Sequence, residues 1–117
     1  MLWAVGEPRR LRPAARAEIE DSENDVLVSA VSVWEAAIKR NLGRLEVMPD
    51  DLHAELRLAA FVPLSITIEH GLAAGALPLH HGDPFDRMLI AQAQLEGLTI
   101  VTRDRRFAAY DVALLPA

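Results

Sequence analysis

Short apolar runs alternate with helical stretches along most of this chain, and that alternation is the strongest constraint on its fold. Residues 25–30 (Asp-Val-Leu-Val-Ser-Ala) read as a short buried strand. Residues 32–41 then carry helical spacing, with Gly43 as the stop. Residues 61–66 read as another strand, and Pro63, which cannot donate to a ladder, makes it an edge strand or a broken one. Thr67 caps a helix that runs to about residue 76. Asp83-Pro84 opens the longest apolar helix, which continues to Glu96 and ends at Gly97. On it Phe85, Leu89 and Ala93 mark one apolar face, and Met88, Ala91 and Leu95 another, so burial on two sides is expected. Residues 99–102 read as a buried strand, 105–110 as a short turn or helix, and 112–115 as a last strand. Two more helices are expected, over residues 14–21 behind Pro13 and from Pro49 onward. Strands that alternate with helices predict an α/β fold with a mainly parallel sheet covered on both faces.

The bulk properties narrow the function. At 117 residues the chain is one domain, long enough to bury most of its apolar surface on folding. With no cysteine, disulfides and thiolate metal sites are excluded, which suits a reducing cytoplasm. No apolar run approaches the roughly 20 residues of a membrane span. A net charge of −5 argues against a broad basic nucleic-acid surface, but not against a nucleic-acid enzyme whose positive charge comes from bound metal.

Three carboxylates fall beside strand ends. Glu35 follows the strand at 25–30, Asp86 opens the helix at 84–96, and Asp104 lies just past the strand at 99–102. In an open parallel sheet such places are neighbours at the carboxyl edge, where ligands bind. Mg²⁺ takes oxygen ligands, one or two carboxylates among them, and keeps several waters. Each acid also has an ordinary explanation. Ser32 and Glu35 have capping-box spacing. Asp83 is a good N-cap, and Asp86 suits the positive end of a helix dipole. Asp104 could cap the turn after it. Capping alone explains each acid singly; all three at strand ends exceed what capping needs.

Other candidates are weaker. His80-His81 suggests a transition metal, but His53 and His70 do not complete the spacing of a zinc site, so a loop role is expected. Trp34 reads as core rather than as a platform for stacking bases. No Gly-x-Ser-x-Gly elbow and no glycine-rich phosphate loop occurs. Arg87 and Arg103 are candidate phosphate contacts, and Arg87 could instead pair with Asp83 four residues earlier.

At residues 2–8 (Leu-Trp-Ala-Val-Gly-Glu-Pro), 29–35 (Ser-Ala-Val-Ser-Val-Trp-Glu), 81–93 (His-Gly-Asp-Pro-Phe-Asp-Arg onward) and 101–104 (Val-Thr-Arg-Asp) with Phe107, the chain resembles PIN-domain proteins, specifically the VapC-type toxin ribonucleases of toxin–antitoxin pairs. The resemblance covers nearly the whole chain in the right order. It implies a PIN-like three-layer sandwich, 1–117 as a single domain, and an endoribonuclease dependent on Mg²⁺ or Mn²⁺. It also implies an RNA substrate, a cognate antitoxin that blocks the pocket, and a homodimer. By matching position, Glu35, Asp86 and Asp104 become the catalytic and metal-binding acids, Asp83 a supporting acid and Thr102 a supporting hydroxyl.

One departure stands out. Such toxins usually begin with a short apolar strand ending in Asp-Thr-His, before a helix carrying Leu-Leu-Trp-Ala. Here Leu2-Trp3-Ala4 corresponds to that helix, so the first strand and its Asp are expected to be absent. A start codon assigned too late is the preferred explanation, over a truncated remnant. The rival functional reading is a non-catalytic PIN-like module that binds an antitoxin and does no chemistry.

Overall fold

The computed structural model describes residues 2–3, 25–43, 61–102 and 104–116. Its elements are β1 (Leu2–Trp3), β2 (Leu27–Ser29), α1 (Ala30–Asn41), β3 (Val62–Leu64), α2 (Ile68–Ala76), α3 (Pro84–Glu96), β4 (Thr99–Thr102), a 3-10 turn (Arg105–Ala109) and β5 (Ala113–Pro116). The helices expected over residues 14–21 and from Pro49 lie outside the described residues.

The five strands form one parallel sheet in the order β3-β2-β1-β4-β5. β3 is an edge strand, as Pro63 requires. The centre differs from expectation. Leu2–Trp3 is not helical; it pairs with Leu27 on one side and with Ile100 and Val101 on the other. The central strand position is therefore filled, by two residues that carry no carboxylate. The physical reason is the neighbours: the inner edges of β2 and β4 hold backbone donors and acceptors that must be paired, and an extended apolar dipeptide pairs them.

The chain leaves β1 toward β2 and β3 on one side, and β4 and β5 lie on the other. That makes the carboxyl end of β1 the topological switch point, the place where ligands bind in open parallel sheets. α3 reaches β4 through Gly97 and Leu98 alone, with Gly97 left-handed at φ 65°. So short a link turns the chain back on itself and sets the N-terminus of α3 at the carboxyl edge.

The core is centred on α3. Val31, Leu89, Ile90, Ala93, Ile100, Phe107 and Tyr110 cluster there, with Phe85, Met88 and Leu114 packed against them. Leu89, Ile90, Ala91, Gln92 and Ala93 are all buried, so the middle of α3 is covered on both sides as expected, and of the second face only Leu95 is exposed. Trp34 is also not core: it is 59% exposed and sits edge-to-face on Phe85 at 5.0 Å, joining α1 to α3 at the surface.

A buried polar chain crosses this core. The Ser29 hydroxyl donates to Gln92 Oε1. The Gln92 amide reaches Ser65 O and His70 Nδ1, both at 3.3 Å. His70 Nδ1 accepts from the Thr67 N–H, so the proton is on Nε2, which donates to Glu96 at 2.8 Å. His70 thus takes the place of Glu or Gln in the capping box that starts α2.

Candidate metal centre

The Ser32–Glu35 capping box does not form. Ser29, three residues earlier, is the N-cap of α1, and its hydroxyl accepts from Val31 N at 3.1 Å. The helix starts two residues before the expected position, because β2 ends at Ser29 and the turn is taken there at once. Ser32 lies inside the first turn, its hydroxyl buried without a hydrogen-bond partner among the described residues. Glu35 is thereby released from capping and lies a full turn inside the helix, with Lys39 4.0 Å away.

Asp83 and Asp86 come from the entry to α3. Asp83 is its N-cap, its Oδ1 accepting from Asp86 N at 3.0 Å, and Pro84 takes the first turn where no N–H is needed. Asp86 Oδ2 accepts from His81 Nε2 at 2.7 Å. One ligand atom from each of His81, Asp83 and Asp86 lies within 4.8 Å of the others. His81, weighed in the sequence as a metal candidate and expected to have only a loop role, is the histidine brought against these acids. Its signal was position, five residues before Asp86 in the loop that enters α3.

Asp104 follows β4 and caps the 3-10 turn, as expected, accepting from Arg106 N at 2.9 Å. Its own N–H donates to the Thr102 hydroxyl at 3.1 Å, which places Thr102 behind the acid. The Arg106 side chain adds a two-pronged contact, 2.6 Å from Nη2 to Oδ2 and 3.0 Å from Nε to Oδ1. Arg103 lies outside the described residues.

Arg87 behaves unlike a phosphate contact or a partner of Asp83. Its guanidinium donates to the carbonyls of Ala74, Leu77, Pro78 and His81, and to the Tyr110 hydroxyl. A planar cation with five donors suits the orphan carbonyls at the end of α2 and the loop after it.

The acids feel one another. Burial pushes the Asp86 carboxyl up from its ordinary value; the His81 hydrogen bond opposes this, while Asp83 and Asp104 push it further up. Burial likewise raises Glu35, against Lys39, with Asp86 and Asp83 adding to the rise. Asp104 goes the other way, down to about 2, chiefly because Arg106 hydrogen-bonds its carboxylate. Asp86 and Glu35 are thus held in conditions that disfavour their charge, while Glu35 and Asp104 stand outside the close group that His81, Asp83 and Asp86 form among the described residues.

The chain belongs to the PIN domain family, whose model matches residues 1–113. Among curated proteins it is similar to Ribonuclease VapC22 of Mycobacterium tuberculosis (strain ATCC 25618 / H37Rv), at 34% identity over 110 residues, 92% of this chain and 84% of that one. The crystal structure of FitAcB from Neisseria gonorrhoeae shares the fold with a TM-score of 0.63 at 21% identity, covering 99% of this chain and 97% of that one. A structure of FitAB bound to an IR36 DNA fragment gives a TM-score of 0.64 at 22% identity, covering 98% of this chain and 94% of that one. No helix among the described residues is long and apolar enough to cross a membrane.

Proposed function

We propose that this chain is a metal-dependent endoribonuclease acting as the toxin of a toxin–antitoxin pair. The observation that carries the reading is the approach of Asp83, Asp86 and His81 to within 4.8 Å at the entry to α3, with Asp104 near enough to raise Asp86, Asp86 near enough to raise Glu35, and Glu35 free of the capping role that would explain it otherwise. The donor set suits Mg²⁺ or Mn²⁺: oxygen atoms, several negative charges, and two carboxyls raised by burial and by neighbouring acids, a strain that a divalent cation relieves. Glu35, Asp86 and Asp104 hold the ion, Asp83 adds negative charge beside them, and Thr102 fixes the backbone of Asp104. When bound, the ion lowers the pKa of a coordinated water and so supplies a nucleophile for phosphodiester hydrolysis.

The chain's own groups orient and balance charge. Asp83 fixes the first turn of α3, so the Asp86 side chain leaves the helix in a set direction. Arg106, exposed beside Asp104, is the described cation nearest an acid of the site and can meet an RNA phosphate when that carboxylate turns to the metal. Relatedness to a ribonuclease named VapC supports RNA as the substrate and an antitoxin as the partner. A homodimer and a cytoplasmic setting belong to the same reading.

The test is cleavage of a structured RNA with Mn²⁺. Wild type should cut, EDTA should stop it, and Glu35→Gln or Asp86→Asn should lower the rate at least about 100-fold, the scale of removing one transition-state contact. Full activity in either amide variant sinks the assignment. No cleavage by the wild-type chain under any metal points to a binding module instead.

A further inference from the structure

The loop between α2 and α3, residues 77–83, has no regular structure, yet it carries His81 and Asp83 into the site. Its shape is set by two side chains from outside it. Arg87, from the helix that carries Asp86, donates to the carbonyls of Leu77, Pro78 and His81. Tyr110, at the end of the turn that Asp104 begins, receives the His81 N–H at 3.0 Å and donates to Pro78 O at 2.7 Å. His81 is thereby referenced to both acids at once. It is buried, its side chain 8% exposed, and its ring nitrogen reaches an Asp86 carboxylate whose side chain is 13% exposed.

We propose that His81 is a positioning residue: held by Tyr110 and Arg87, it fixes the Asp86 carboxylate and so sets divalent-metal affinity without itself ligating the ion. This rests on the metal-site reading above. The chemistry favours positioning over ligation. Nε2, the ring nitrogen turned to Asp86, has no lone pair to offer a cation while it donates its proton there; only Nδ1 keeps one, and nitrogen coupling to Mn²⁺ would reveal its use. Hard divalent ions prefer oxygen, and hydrogen-bond partners of ligating groups commonly tune such sites. Asp86 stands in the first turn of α3, and without a partner on Oδ2 its carboxylate is free to rotate between staggered positions.

The experiment is titration of Mn²⁺ and of Mg²⁺ into the purified protein by calorimetry, for wild type, His81→Ala, His81→Gln and Tyr110→Phe. Each variant's melting temperature is followed alongside, and Mn²⁺ is examined by pulsed EPR. His81→Ala should weaken both ions together by about 10- to 100-fold, the usual effect of losing an outer partner. His81→Gln, whose amide nitrogen can replace Nε2 as donor, should recover part of that loss, and Tyr110→Phe should lose affinity in the same direction. If His81→Ala does not fold, the other two variants decide: unchanged affinity in both overturns the proposal. Wild-type affinity in a folded His81→Ala with only a lower melting temperature reduces His81 to a structural role and overturns it as well. Imidazole nitrogen coupling to Mn²⁺ in wild type, or a loss for Mn²⁺ much larger than for Mg²⁺, makes His81 a ligand and also overturns it. A wild-type chain that binds neither ion removes the metal-site reading itself, and this proposal with it.

Discussion

Asp86 has its charge kept in an unfavourable place. Its folded-state pKa is raised, so the ionised form costs folding free energy at neutral pH, and the cost falls away as pH drops through that raised value. Asp86→Asn removes the charge but keeps an oxygen that can accept from His81. Without metal and at neutral pH, the variant should melt no lower than wild type; a drop of several degrees in an EDTA melt would show that the carboxylate stabilises the fold. Metal affinity follows the same logic. Protons compete for Asp86 and Glu35 at a higher pH than for ordinary carboxyls, whereas Asp104 stays ionised down to about 2. Binding should therefore weaken on acidification through the two raised acids first.

At the level of the element, α3 organises the molecule. Its first turn carries Asp83 and Asp86, its middle holds the core, and its last residue, Glu96, receives the end of the buried polar chain. Gln92 is the joint of that chain. It is fully buried, and it links the N-cap of α1 to the capping histidine of α2. Gln92→Leu nearly keeps the volume but leaves the buried Ser29 O–H without its acceptor, whereas Ser65 is exposed and can turn to water. The expected cost is about 1–3 kcal/mol for that one buried donor. Chemical denaturation measures it, and a loss below about 0.5 kcal/mol would mean that the chain is dispensable. Because Ser29 starts the helix bearing Glu35, RNA cleavage should weaken with stability in this variant.

Across the whole molecule, the parallel strands set the ends of β2 and β4 and the entry to α3 on the same edge of the sheet, which is where the proposed site would lie. Folding thus assembles the site, and a ligand that binds the folded state alone must stabilise it. Mn²⁺ at about 100 times its Kd should add about 2.7 kcal/mol. The melting temperature should rise accordingly and return on adding EDTA; no shift at saturating metal would show that the acids do not bind it. Much of this architecture was already legible in the chain. Pro63 marked an edge strand, Asp83-Pro84 and Gly97 bounded α3, and Asp104 announced a capped turn, because caps, prolines and left-handed glycines act locally. Glu35, Asp86 and Asp104 were legible as strand-end acids for the same reason. What the chain could not announce were facts of packing. Leu2–Trp3 is a strand because β2 and β4 leave a gap between them, and Ser29 caps α1 because β2 ends there. Trp34 and Leu95 are exposed because nothing among the described residues covers them, and Arg87 turns inward to distant carbonyls. His81, the partner of Asp86, lies in a loop held by Arg87 and by Tyr110, the latter 29 residues away in the chain. Local signals decided where elements start and stop; contacts between residues far apart in sequence decided which of their side chains face the site.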